Sequence, residues 1–268
     1  MQLPSELAAL IGAFAWKGAV VLWLALLFGA ERVHPADDRA RPEIGGTRRR
    51  LVRNFGLFLA NAALSPLAVA PLSLWAASHA LPWRPLWWRG AGGLILDLVL
   101  LDLWIYWWHR ANHEVPLLWR FHAMHHLDRV LDTSSALRFH FGEVLLSAAA
   151  RAGVILLLGL PIVSVVVFEA LVLAAAIFHH SNLALPFRLE AALSRLVVTP
   201  SIHWVHHHRV RRDTDANYST VLSLWDRLFA TRSSTPRLAG MPIGVEGRDE
   251  LGLMQLLITP FRPVRQVS

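Results

Sequence analysis

Residues 144–178 read VLLSAAARAGVILLLGLPIVSVVVFEALVLAAAIF. Two apolar runs, Val144–Leu160 and Ile162–Phe178, are parted only by Gly159-Leu160-Pro161. A bilayer core takes about 20 apolar residues in helical form. The stretch therefore reads as a tight hairpin of two membrane helices that returns the chain to the side it left. Working upstream, Ala91–Trp108 is a third span, carrying Asp97 and Asp102 inside it. Phe55–Ala80 is apolar but interrupted by Pro66 and Pro71, which predicts a kinked span. Leu7–Phe28 completes the set, with Lys17 near its centre. Downstream of His180 no run reaches spanning length. The fold expected is an all-α polytopic membrane bundle of about five transmembrane helices, closed by a histidine-rich helical cap.

Composition points the same way. Hydrophobic residues make up 54% of the 268 and charged residues only 17%, with mean hydropathy +0.41. A soluble globule carries about a quarter charged residues, so this chain has too few to cover a surface. There are 14 histidines and no cysteine. That excludes a disulfide scaffold, a cysteine zinc finger, a cysteine-held iron–sulfur cluster, thiolate haem and a cysteine nucleophile. The net charge of +7 would suit nucleic acid, but the arginines sit beside spans and no nucleic-acid motif accompanies them. No nucleic-acid partner is expected.

Arg32, Arg39, Arg41, Arg48, Arg49, Arg50 and Arg53 fall between the first two spans, against Arg84 and Arg89 between the next two. The positive-inside bias puts the first loop in the cytoplasm and the N-terminus outside. Counting spans then places 109–141 and everything after His180 in the cytoplasm. Ser5-Glu6 before the first run lacks a basic n-region, so the first span reads as a retained anchor. The expected organisation is 1–90 as N-terminal spans with an Arg-rich loop and a polar linker at Pro35–Gly46. The catalytic region follows at 91–232, then a cytoplasmic tail at 233–268. One lysine against 25 arginines, with no ER-retention ending, fits a bacterial inner membrane.

The histidines carry the chemistry. His109 and His113 stand at i and i+4, on one face of a helix continuing from the third span. Phe121-His122-Ala-Met-His125-His126 adds three at i, i+3 and i+4, and Ile202-His203-Trp-Val-His206-His207-His208 repeats that spacing eighty-one residues on. His179-His180-Ser181-Asn182 lies where the last span re-enters the cytoplasm. All four groups fall on one side of the membrane, independently of the arginine argument. His34 and His79, standing alone, read as ordinary residues. Neutral imidazole is a common metal ligand, and eight or more converging exceed what one tetrahedral zinc takes. The count fits two metals of higher coordination with open positions. Imidazole suits iron, zinc, copper and nickel alike. A site beneath long apolar helices suits attack on an unactivated C–H bond of a lipid, and redox-inert zinc cannot activate the oxygen this needs.

In this order and spacing, five groups of residues and a closing stretch resemble the fatty acid hydroxylase/sterol desaturase superfamily of integral-membrane, non-haem di-iron enzymes. They are Asp102 to His113, Leu118 to His126, Arg138-Phe-His140-Phe-Gly-Glu143, Phe178-His-His180-Ser-Asn182 and Thr199 to His207. Asn217-Tyr218 through Trp225-Asp226 to Phe229 follows, so the likeness spans about 92–232. The family usually has Pro at the place of Phe141 and Gly at those of Ser219 and Ala230. The resemblance implies His109, His113, His122, His125, His126, His203, His206 and His207 as ligands of two iron ions, with His180 as the ninth. His179 is the alternative at that position and His208 a bystander. Asp102, two turns before His109, is expected to accept a hydrogen bond from a ligand imidazole. Its alternative is a helix–helix contact within the membrane. His140 and Asn182 are expected to support the ligands, and Glu143 to do so or to be structural. Trp225 and Phe229 are expected to pack the cap.

The activity implied is O2-dependent hydroxylation of a lipid from the bilayer (fatty acyl, sterol or related), with desaturation of the same lipids as the alternative. A non-catalytic metal-binding membrane protein or transporter is the reading from another class. It would place ionisable residues along a path at mid-depth, where only Lys17, Asp97, Asp102, Arg151 and Glu169 are candidates. No GxGxxG follows a strand, and His34-Pro35 precedes Ala-Asp rather than glycines. Electrons are therefore expected from an external donor, a ferredoxin-like protein or a b-type cytochrome with its reductase. Arg209, Arg211 and Arg212 suit an acidic donor or lipid head groups alike.

Overall fold

The computed structural model describes residues 5–38 and 47–262; residues 39–46 of the linker, with Arg39 and Arg41, lie outside the described residues. Among the described residues the chain is helical, with isolated β-bridges and no strand. In order come α1 (Ser5–Val33), α2 (Thr47–Leu64), α3 (Ala70–Ser78), α4 (Gly90–Glu114), α5 (Pro116–His126) and α6 (Phe141–Leu158). They are followed by α7 (Ile162–His180), α8 (Phe187–Leu193), α9 (Pro200–His206), α10 (Arg211–Thr214), α11 (Leu224–Leu228) and α12 (Leu253–Ile258).

Four segments among the described residues are long and apolar enough to cross a membrane: Arg48–Ser78, Gly90–Glu114, Phe141–Leu158 and Ile162–His180. Only 17–33% of each apolar window is buried within the protein, so most of each faces outward, as lipid contact requires. The remaining expected span, Leu7–Phe28, falls on α1. The side chains of residues 5–17, Lys17 included, lie outside the described residues. The break expected at Pro66 is a π-helical turn, Ser65–Val69, joining α2 to α3. A proline withdraws one donor from the helical ladder, and a wider turn accommodates it.

The hairpin forms as expected. Gly159 ends α6 with φ +65, and a Cβ there would meet the Leu81 carbonyl oxygen at 2.8 Å. The glycine thus serves both the left-handed cap and the close approach. Ala76, Leu101, Ile155, Val165 and Phe168 make the core shared by α3, α4, α6 and α7. Charges at depth are paired: Arg84 to the buried Asp97 at 2.9 Å, with Ser164 and Trp88 also donating to Asp97, and Arg151 to the half-exposed Glu169 at 2.7 Å.

At the histidine end a buried polar layer ties α1 and α2 to the histidine-bearing half. The Glu31 carboxylate on α1 accepts the backbone N–H groups of Thr133 (3.0 Å) and Asn182 (2.8 Å). From α2, Arg50 grips Asp128 (2.9 Å) and Asp132, and Asn54 donates to Asp128 (3.1 Å). Burial alone would raise the Asp128 carboxyl, but Arg50 and Arg138 hold it below the usual carboxylate range. Residues 233–262 pack back on the body, with α12 burying Leu256 against Leu57, Ala123 and Met124.

Ala230 has φ +54, the left-handed region that favours glycine. This explains the glycine expected there from the family pattern. Ala230→Gly should relieve strain of roughly 1–2 kcal/mol, partly offset by glycine's freer unfolded chain. A net gain of about 0.5–1 kcal/mol, about 2 °C in thermal midpoint, is the outcome expected by fluorescence-monitored melting.

Candidate metal centre

Two prolines set the frame. Pro116 holds Val115 extended (φ −91, ψ 116), so α4 stops at Glu114 and α5 starts at once in a new direction. The corner lays His109 and His113 of α4 against His122 and His126 of α5. Pro200 opens α9 after an extended Thr199, and α9 packs on the end of α7, bringing His203 within 4.2 Å of His180, ring centre to ring centre.

All nine histidines converge, and they divide. His109, His113, His122, His126 and His206 form one group, and His125, His180, His203 and His207 the other. Within each, one ring nitrogen per residue lies within 4.8 Å of the rest. Eight of the nine are buried and His109 is partly so. Each HxxHH block is shared between the groups by the same rule. The i and i+4 members (122 and 126; 203 and 207) stay together, and the i+3 member (125; 206) crosses over. Neighbours on a helix point about 100° apart, so His125 and His126 cannot serve one point.

The outer nitrogens explain the inner ones. Nδ1 of His109 donates to the Tyr218 carbonyl (2.8 Å), His125 to Arg138 (3.1 Å), His180 to Ala176 (2.8 Å) and His206 to Ala216 (2.7 Å). Nδ1 of His122 donates to the Glu143 carboxylate (2.8 Å), and that of His113 faces Asp215 (3.3 Å). A neutral imidazole with Nδ1–H committed has a lone pair on Nε2. Yet Nε2 of His125 and of His180 stand 3.1 Å apart, two acceptors in contact. Nε2 of His180 and of His203 (3.0 Å), of His203 and His207 (3.1 Å), and of His122 and His126 (3.2 Å) also meet, while Nδ1 of His126, His203 and His207 is buried with no outside acceptor. Nε2 of His113 and of His206 is buried with no partner at all. Lone pairs so arranged suit a cation between them. Metal–imidazole bonds of about 2.1 Å at right angles separate neighbouring nitrogens by about 3.0 Å. The donor set fits a pair of borderline divalent metals.

Other expected residues are placed differently. Asp102 touches no imidazole. It accepts the Val221 and Leu222 N–H groups (3.2 and 3.0 Å) and the Trp225 indole (2.8 Å). Two turns below His109, it reaches the loop after Tyr218 rather than the ring, one layer further out. His140 caps α6, its Nδ1 accepting from Gly142 and its Nε2 donating to Leu257. That position turns it towards Phe121 and Phe261, away from the ligands. Asn182 spans Asp37 and Glu31, bonding α7's end to α1's, and contacts no ligand ring. Glu143 does reach one of the grouped histidines, His122. His180 rather than His179 enters a group, while His179 packs beside His203 at 4.0 Å. His208 pairs with Asp213, and Trp225 packs with Tyr106, Tyr218 and Phe229. The carbonyls of Tyr218, Arg138 and Ala216 had no side-chain signal by which to be found.

Glu143→Ala should cost about 10–100-fold in metal affinity or turnover, because it frees the His122 ring and its tautomer. Glu143→Gln, which keeps an acceptor oxygen, should recover most of this in a metal-content assay.

Burial, reinforced by neighbouring imidazoles, pushes His125, His126, His203, His206 and His207 well below the usual imidazole range. They are neutral at pH 7, the form that binds metal. Unfolded, each titrates near 6.5. Below that pH the unfolded chain holds more protons, so acid destabilises the folded state by up to about 1.4 kcal/mol per pH unit for each ring. Above it the term is flat. Metal content after dialysis across pH 7.5 to 4 should stay constant through the usual imidazole range near 6.5 and fall only well below it, where the folded rings take up protons or the chain unfolds.

Comparison with known proteins places this geometry. The family described as fatty acid hydroxylase matches residues 94–231. The ornithine lipid hydroxylase OlsE of Rhizobium tropici is 32% identical over 196 residues, covering 73% of this chain and 58% of that protein. Human alkylglycerol monooxygenase is 33% identical over 152 residues, covering 56% and 32%. CER1-like 1 of Arabidopsis thaliana is 30% identical over 175 residues, covering 61% and 26%. The chain thus spans from about a quarter to under two thirds of the length of these relatives. No solved structure matches it. The matched stretch opens inside α4, closes just past α11 and holds both histidine groups, and the chain belongs to the fatty acid hydroxylase family.

Proposed function

We propose that the protein is a membrane-bound, O2-dependent hydroxylase of a lipid, with iron held by the five-histidine group and by the four-histidine group. The observation that carries this is the division of nine imidazoles into two adjoining sets, with Nε2 atoms of neighbouring rings 3.0–3.1 Å apart and facing lone pairs at His125 and His180. Iron bound there supplies oxygen activation, with two electrons and two protons, so that one oxygen atom enters a C–H bond and the other leaves as water. The chain's own part is to keep nine rings buried and neutral, to aim six of them through Tyr218, Ala216, Arg138, Ala176, Glu143 and Asp215, and to exclude water around them. The names of the relatives, an ornithine lipid hydroxylase and an alkylglycerol monooxygenase, support a membrane lipid as substrate. Charges at depth pair with one another, Arg84 with Asp97 and Arg151 with Glu169, which argues against an ion path.

In this reading residues 91–232 form the catalytic region, between the N-terminal spans of 1–90 and the tail of 233–268. The site faces the cytoplasm of a bacterial inner membrane, and electrons come from a ferredoxin-like or cytochrome donor. The test compares lipid extracts from cells with and without the protein, alongside metal analysis of purified material. A lipid gaining one oxygen, with about two irons per chain for the two groups, is expected. Unchanged lipids together with zinc-only protein would overturn the reading.

A further inference from the structure

A cavity of about 180 Å³ lies against α9, beside the histidine groups. Ile202 and Val205 line it, while the next residues along, His203 and His206, belong to the metal groups. Its other walls are Glu190 and Ser194 at α8 and the stretch 232–237. Most of its polar groups are engaged. Ser233 and Thr235 give their hydroxyls to Asp213 (2.9 and 2.7 Å), and Glu190 takes the Ser201 N–H at 3.3 Å. Two are not: the hydroxyl of Thr199, fully buried, and Nη2 of Arg237 have no partner. The Arg237 fork is fixed, its other nitrogen on the Leu183 carbonyl (3.3 Å) and its plane 4.0 Å from the Trp204 ring. Arg232 adds a second cation at the rim. The free Arg237 nitrogen is a donor and the Thr199 hydroxyl can be one; Glu190 and Asp37 offset part of the Arg237 charge, Arg232 adds to it, and guanidinium groups meet the oxygens of phosphate or carboxylate best.

The wall at α8 says where such oxygens come from. α8 begins seven residues after α7 ends at His180. It turns Phe187 (84% exposed) and Leu189 outward, with Leu196 just beyond, beside Arg188 and Arg195. Apolar and basic side chains together at a span's exit suit the surface of an anionic bilayer. We propose that this cavity binds the anionic phosphate or carboxylate head group of a membrane lipid lying against α8. Occupancy then braces the metal site. Asn217 donates to the Ile202 carbonyl (3.1 Å) and accepts from Ser233 N–H (3.0 Å), next to Ala216, whose carbonyl holds His206. A head group that steadies 232–237 and α9 steadies His203 and His206, so lipid and metal should strengthen each other's binding.

The test uses full-length purified protein in nanodiscs of phosphatidylcholine, with or without phosphatidylglycerol, and inorganic phosphate added to phosphatidylcholine discs as a separate arm. Thermal midpoint and metal loss to a chelator are read. Phosphatidylglycerol should raise the wild-type midpoint and slow metal loss by roughly fivefold or more. Arg232→Gln and Thr199→Val should match wild type in phosphatidylcholine and lose the phosphatidylglycerol response. Variants that respond as wild type does, or a wild type indifferent to phosphatidylglycerol, overturn the proposal. So does inorganic phosphate reproducing the whole shift, which would assign the cavity to a free anion. The midpoint reports on head-group binding whatever metal is present, so the result is separable from the oxygenase reading.

Discussion

His125→Ala is expected to lower bound metal from about two ions to about one per chain and to abolish turnover. His125 sits in the four-histidine group with His180, His203 and His207, whereas its neighbour His126 faces the other group. Removing it leaves three imidazoles around one position and the five-histidine group whole. Loss of a supporting hydrogen bond costs about 10–100-fold, and loss of the ligand itself should exceed that. His126→Ala should weaken the other position instead, so the two single variants remove different metals. Metal analysis with the change in lipid mass checks both, with His208→Ala, outside both groups, as the control. Two metals retained in His125→Ala, with activity within tenfold of wild type, would sink the assignment.

Arg50→Ala should be the most damaging change away from the histidines. Arg50 is 4% exposed and bridges Asp128 and Asp132, both fully buried. Deleting the cation leaves Asp128 with Arg138 nearby and Asp132 with Arg32 at 3.6 Å as their remaining cations, so the cost should sit at or below the roughly 3–5 kcal/mol of breaking a buried pair. Asp128 lies two residues past His126, so the damage should reach α5. Arg50→Ala is expected to lower the melting midpoint by several degrees and to reduce metal loading. Arg48→Ala, a few residues away and exposed, should do neither. A midpoint equal to wild type by fluorescence-monitored melting would refute the account. This contact also shows why the N-terminal spans matter to the site: Glu31, Arg50 and Asn54 all reach the 128–135 stretch that follows the His122–His126 block.

The histidine set and the helical hairpin were readable because both are local. Spacing of i, i+3 and i+4 puts side chains on one face whatever the rest of the chain does, and an apolar run flanking Gly159-Leu160-Pro161 has few alternatives. Supporting residues were less readable. Asp102, His140 and Asn182 carry the right chemistry at plausible spacing, yet their partners are the 221–225 turn, the start of α6 and the end of α1. Glu143 meets His122 only because α5 and α6 pack together.

By itself the sequence determined an all-helical membrane protein, the nine histidines and the family likeness, since these rest on composition and on periodicities within single helices. Only the tertiary structure decided that the nine divide five and four, that His180 and not His179 joins a group, and which oxygens hold six of the rings. Those outcomes depend on the angle at which α4, α5, α7 and α9 meet, and on backbone carbonyls that no side chain announces.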